Sequence, residues 1–156
     1  MTRILAVDFG ERRVGLALSD ESGILAARPL ETLDRKNIRP PNTLEEKIGS
    51  IAASHNVSEI VVGLPVNMNG SLGESARRVL SFTESLGCIT GLPVKTWDER
   101  LTTVVAQRVQ IELNIPRKKR REKGRLDSTS AILLLQNYLN FRARGQTPDS
   151  RESHNH

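Results

Sequence analysis

Residues 3–20, Arg-Ile-Leu-Ala-Val-Asp-Phe-Gly-Glu-Arg-Arg-Val-Gly-Leu-Ala-Leu-Ser-Asp, constrain this chain more than any other stretch. The unbroken apolar run Ile4-Leu5-Ala6-Val7 is what a strand covered on both faces requires. It ends on Asp8, followed by Phe9 and Gly10, and a polar turn, Glu11-Arg12-Arg13, leads into a second apolar run over 14–18. The pattern predicts a hairpin whose first strand is central in its sheet. A carboxylate at the end of such a strand falls at the rim where ligands of open α/β sheets bind. Gly10 and Gly15 would let a substrate or a metal-bound phosphate approach the backbone closely. Taken alone, the same residues also describe a plain turn, and the rest of the chain must decide.

A third apolar run, residues 24–33, contains Pro29, which a central strand would not tolerate, so it is placed at the sheet edge. Residues 34–42 read as a loop. Thr43-Leu-Glu-Glu46 has the spacing of a capping box and opens a helix with Leu44, Ile48, Ile51 and Ala52 on one face. Glu59-Ile-Val-Val-Gly63 is a short β-branched strand, and strand–helix–strand order implies a parallel pair. After the loop Leu64-Pro-Val-Asn-Met-Asn-Gly70, Ser71-Leu-Gly-Glu74 is a second capping box. Its helix is expected to turn Ala76, Val79, Leu80, Thr83 and Leu86 inward and to stop at Gly87. Residues 92–97 form the next strand and end in Asp98-Glu99-Arg100; helices follow over 102–113 and from near Asp127. The order predicts an α/β fold: a mixed five-stranded sheet, an antiparallel three-stranded meander plus parallel strands, with helices on both faces. One domain covers residues 1–144, and the polar tail 145–156 is expected to be disordered.

Charge is placed unevenly. Arg117, Lys118, Lys119, Arg120, Arg121, Lys123 and Arg125 share nine residues with one acid, Glu122, a net +6 against +5 for all 156 residues. A cation cluster on a near-neutral body points to a polyanion. Aromatic residues make up 3% of the chain, which favours backbone and shape contacts over base stacking. The single cysteine, Cys88, excludes an internal disulfide and reads as a small buried residue. No apolar run approaches membrane-spanning length, and the first residues run straight into a strand without signal-peptide features, so a soluble, cytoplasmic protein is expected.

Several chemistries drop out. The chain has no P-loop, no Cys-x-x-Cys and no His-Glu-x-x-His, and His55, His154 and His156 fall on a helix end and a tail. Carboxylates remain: Asp8, Asp98 or Glu99, and Asp127 stand at strand ends or a helix start on the predicted rim. Clustered carboxylates repel unless a cation sits among them. Mg²⁺ or Mn²⁺ suits oxygen ligands, and a pair of such ions stabilises both the attacking and leaving oxygens of a phosphodiester. Asp127 is also a natural N-cap for the apolar helix after it. Asp98 and Glu99 should point to opposite sides, one to the site and one to solvent or Arg100.

With these residues assembled, the chain resembles the RuvX/YqgF family, described both as Holliday junction resolvases and as pre-16S rRNA nucleases. The resemblance rests on Asp8-Phe-Gly with Arg13-Val-Gly-Leu-Ala, Val62-Gly-Leu-Pro with Asn67-Met-Asn-Gly-Ser, Asp98-Glu-Arg-Leu-Thr-Thr, and Lys123-Gly-Arg-Leu-Asp-Ser. It implies a ribonuclease H-like fold, catalytic and metal-binding acids at Asp8, Glu99 and Asp127, and two divalent ions. It also implies processing of the 5′ end of the 16S rRNA precursor. Asn69 departs from the Asp common there. The 117–125 cations, with Asn67 and Ser71, are the candidate nucleic-acid contacts.

Three rivals stand beside this reading. A resolvase of branched DNA would use the same metals and need a homodimer for paired incisions, where an RNA nuclease can be a monomer. A non-catalytic assembly factor would use the acids as caps and ion pairs. A phosphotransfer ATPase also opens with Asp-x-Gly on a hairpin, but clamps nucleotide between two such domains.

Overall fold

The computed structural model describes residues 3–23, 26–101 and 123–144, with the side chains of 26–28 and 123–129 outside the description. The expected helix over 102–113, cations 117–122 and the tail 145–156 lie outside the described residues.

The hairpin forms as the sequence dictates. β1 (Ile4–Phe9) and β2 (Arg13–Ser19) pair antiparallel, with Asp8 opposite Gly15. β1 also pairs in parallel with β5 (Glu59–Leu64), and β5 with β6 (Val94–Asp98). β3 (Ala26–Pro29) holds the other edge, so the sheet runs β3-β2-β1-β5-β6. One expectation changes in detail. The third run is not continuous: β3 ends on Pro29, and a separate short strand, β4 (Leu33–Asp34), pairs further along β2. Proline has no N–H to extend a ladder, and β2 itself shifts register between Leu18 and Ser19.

Helices cover both faces. On one, α1 (Leu44–Ser54) buries Leu44, Ile48, Ile51 and Ala52, and packs with Val79, Phe82 and Leu86 of α2 (Glu74–Thr90) against Leu5, Val7 and Val62. On the other, α3 (Lys123–Ala143) lays Ala131, Leu134, Leu135 and Tyr138 over Ile4, Ala6, Ala17, Val61 and Trp97. The alternation of strand side chains sorts even and odd positions of β1 between these two cores.

Helix starts divide the capping predictions. Thr43 caps α1: its Oγ1 accepts from the Glu46 N–H at 3.1 Å and donates to the Glu46 carboxylate. Ser71 does not cap α2, which begins after Gly73 with no side-chain cap. Ala76, Val79 and Leu86 are buried as expected. Phe82 is buried, Leu80 and Thr83 are not, and the helix continues past Gly87 to a left-handed Gly91. Phe82 owes its burial to Phe9 of β1, whose ring stacks on it at 4.4 Å. Cys88 is exposed on α2 rather than buried. α3 begins at Lys123, a full turn early, so Asp127 lies within the helix and not at its cap.

Candidate active site

The parallel strands β1, β5 and β6 bring their carboxyl ends to one rim. Asp8 stands there, half-buried, on the face of the sheet that α3 covers, because Ile4 and Ala6 of the same parity lie in that core. Both strands beside it offer glycine at this level. Gly15 pairs with Asp8 directly, and Gly63 follows Val62, the partner of Val7.

The absence of a side chain at Gly63 has a geometric use. A Cβ there would lie 2.7 Å from Glu99 Oε1 and 2.7 Å from Leu134 Cδ1. The Glu99 carboxylate is thus folded down onto β5 from the turn after β6, close to Leu134 of α3, although the residue as a whole is exposed. Desolvation pushes its pKa up, and the nearby charges of Asp8 and then Asp98 push it further. Among the described residues Glu99 makes no ion pair, and no group of three metal-ligating side chains occurs there; Asp127 is not among the side chains so described.

Asp98 takes the opposite role. Its carboxylate accepts from Arg100 N–H at 2.9 Å, from Nε at 3.1 Å and from Nη2 at 2.7 Å, and the Arg100 side chain holds its pKa down. The two neighbouring acids thus differ in their surroundings: Asp98 is clasped by arginine, and Glu99 lies over Gly63 in the field of Asp8.

The loop after β5 adjoins this rim, with Gly70 next to the Arg100 guanidinium. Asn67 and Ser71 do not project freely from it. Gly70 N–H donates to Asn67 O at 2.8 Å, Asn67 Nδ2 donates to Ser71 Oγ at 3.0 Å, and Ser71 Oγ donates to Asn69 Oδ1 at 2.6 Å. Asn69, the departure from Asp, is therefore an acceptor that closes the loop. Met68 at its tip is 93% exposed. Phe9 offers no ring face for a base: Phe82 stacks on it, and the Arg35 guanidinium lies 4.8 Å from its centroid. A separate cleft of about 560 Å³, lined in part by Thr32, Asn37, Thr43 and Glu46, includes neither Asp8 nor Glu99.

Two residues escaped the reading of the sequence. Gly63 interrupts a β-branched run, a sign that backbone or a side chain comes close there. Glu59 is buried at the opposite end of β5, and nothing local announced its partners, which lie 79 and 83 residues away.

A family model described as "RuvX: Holliday junction resolvase" matches residues 2–141. A protein of Halothermothrix orenii named "Putative pre-16S rRNA nuclease" is 44% identical over 89% of this chain and 95% of its own length. One of the same name from Symbiobacterium thermophilum is 40% identical over 95% and 98%. Among solved structures, Thermus thermophilus RuvC in complex with Holliday junction substrate superposes with a TM-score of 0.63, covering 94% of this chain and 98% of that one at 11% identity. The last likeness concerns the fold alone and confirms the ribonuclease H-like architecture. By its sequence and its sheet, the chain belongs to the RuvX family.

Proposed function

We propose that this protein is a metal-dependent endonuclease that hydrolyses phosphodiester bonds in structured RNA, acting on the 5′ end of pre-16S rRNA during ribosome biogenesis in the cytoplasm. The observation that carries the reading is the Glu99 carboxylate held over Gly63 in the field of Asp8. A carboxylate whose proton affinity is raised by burial and by a neighbouring carboxylate suits a hard cation, and an all-oxygen donor set suits Mg²⁺ or Mn²⁺. Asp8 and Glu99 would hold the ions, with Asp127 from α3 completing the set. The register of α3 supports this, since Asp127 precedes Ala131 by one turn and Leu134, which meets the Gly63 slot, by two. A bound pair of ions supplies charge stabilisation to the attacking and leaving oxygens.

The chain's own residues do the rest. The sheet rim fixes Asp8 rigidly, because β1 is hydrogen-bonded on both sides. The loop held by Asn67 and Ser71 presents its backbone to the substrate strand beside the acids. The cations Arg117, Lys118, Lys119, Arg120, Arg121, Lys123 and Arg125 grip phosphates, which makes affinity fall steeply with salt. No described helix is long and apolar enough to cross a membrane.

A second reading, a resolvase of branched DNA, is favoured by the family's description and requires a homodimer. Purified protein offered a pre-rRNA fragment and a four-way DNA junction side by side separates them. The expected result is that the RNA is cut, that EDTA stops cleavage, and that Asp8→Asn binds without cutting. Preferential paired incision of the junction would favour the resolvase. Binding of either substrate without metal-dependent turnover would leave a non-catalytic assembly factor.

A further inference from the structure

Resting on that metal-site reading, we infer that Gly63 is a positioning residue: its missing side chain is the slot that seats the Glu99 carboxylate beside Asp8 and lets α3 close on the same spot through Leu134. Three separate elements meet at this one Cα. β5 supplies the slot, the turn after β6 supplies Glu99, and α3 supplies Leu134. Both atoms at 2.7 Å from a built Cβ are far ends of flexible side chains. A methyl group there therefore need not unfold the protein. Glu99, an exposed residue, can swing out towards water, and Leu134 can change rotamer. The loss falls on the site rather than on the fold. The two side chains share one slot: a group placed there meets Leu134, on the helix that carries Asp127, and Glu99, beside Asp8. Gly63 thus sets the spacing between an acid from β6 and the helix opposite.

The test compares wild type, Gly63→Ala and the double variant Gly63→Ala with Leu134→Val, which adds one methyl group and removes another at nearly constant volume. Each is measured for Mn²⁺ affinity by calorimetry, for Tm without metal, and for kcat and KM on the pre-rRNA fragment. Gly63→Ala is expected to stay folded, to bind Mn²⁺ at least about tenfold more weakly, as for groups that orient metal ligands, and to lose kcat with KM within about twofold. The double variant recovers any lost Tm but not the Mn²⁺ affinity, because the new methyl still occupies the seat of Glu99. Wild-type Mn²⁺ affinity in folded Gly63→Ala, or affinity restored together with Tm in the double variant, would reduce Gly63 to a packing glycine and overturn the inference. Wild-type protein that binds Mn²⁺ but cuts neither RNA nor DNA overturns the nuclease reading alone. Wild-type protein that binds no Mn²⁺ overturns the metal site and this inference together.

Discussion

The two ends of the sheet hold their carboxylates in opposite ways. At the amino end of β5, Glu59 is 7% exposed and surrounded by donors: Tyr138 Oη at 2.9 Å, Arg142 Nη1 at 3.0 Å and Lys95 Nζ at 3.5 Å. At the carboxyl end, Glu99 is pressed onto the same strand beside another carboxylate, with its proton affinity raised. One helix, α3, spans both: its last turns bring Tyr138 and Arg142 to Glu59, while Leu134 meets the Glu99 slot. A carboxylate supplied with internal cations holds a fold together. On the proposed reading, a carboxylate held against its own kind is where a cation from outside binds.

The sharpest way to break this contrast is to neutralise one acid at each end. Asp8→Asn or Glu99→Gln should lower kcat on RNA by roughly a thousandfold, corresponding to several kcal/mol of lost metal stabilisation, with RNA binding retained. Glu59→Ala should do the reverse. Chemical denaturation is expected to show a loss of about 2 kcal/mol, less than for a fully enclosed pair because Arg142 and Lys95 keep contact with water, while kcat of the folded protein is unchanged. If Glu59→Ala abolished turnover without loss of stability, the division between the two ends would fail.

A pH series sharpens the same comparison. The native state binds a proton at Glu99 more tightly than the unfolded chain does, so Glu99 contributes a penalty once the pH rises above its unfolded pKa, and the penalty is complete above its raised native pKa. Metal-free Glu99→Gln should therefore melt higher than wild type at pH 8, and the gap should close as the pH falls towards 4. Saturating Mn²⁺ should raise the wild-type Tm and leave the variant nearly unmoved. The smallest expected effect lies away from both ends: Thr43→Ala removes the α1 cap and should cost about 1 kcal/mol with no change in kcat.

Much of this was legible from local pattern. The apolar run into Asp8 located the rim, since a strand buried on both faces has to be central. The α1 stripe of Leu44, Ile48, Ile51 and Ala52 followed from Thr43, whose cap fixes the helix phase. Strand parity put Asp98 and Glu99 on opposite sides without saying which would meet Arg100; the structure pairs Arg100 with Asp98. What escaped depended on distant partners. Phe82 is buried by Phe9, across the sheet–helix interface. Ser71 had the spacing of a cap, but its hydroxyl donates to Asn69 and accepts from Asn67 within the loop, and α2 starts later. A glycine in a strand says that something approaches; only the fold says that it is Glu99 and Leu134.

The central claim is that Asp8 and Glu99 share a divalent ion, and anomalous diffraction from Mn²⁺-soaked crystals tests it most directly. A manganese peak ligated by both carboxylates, and absent in Asp8→Asn crystals, is the predicted result. Manganese bound elsewhere, with Glu99 still folded onto Gly63 and no peak at that rim, would contradict it.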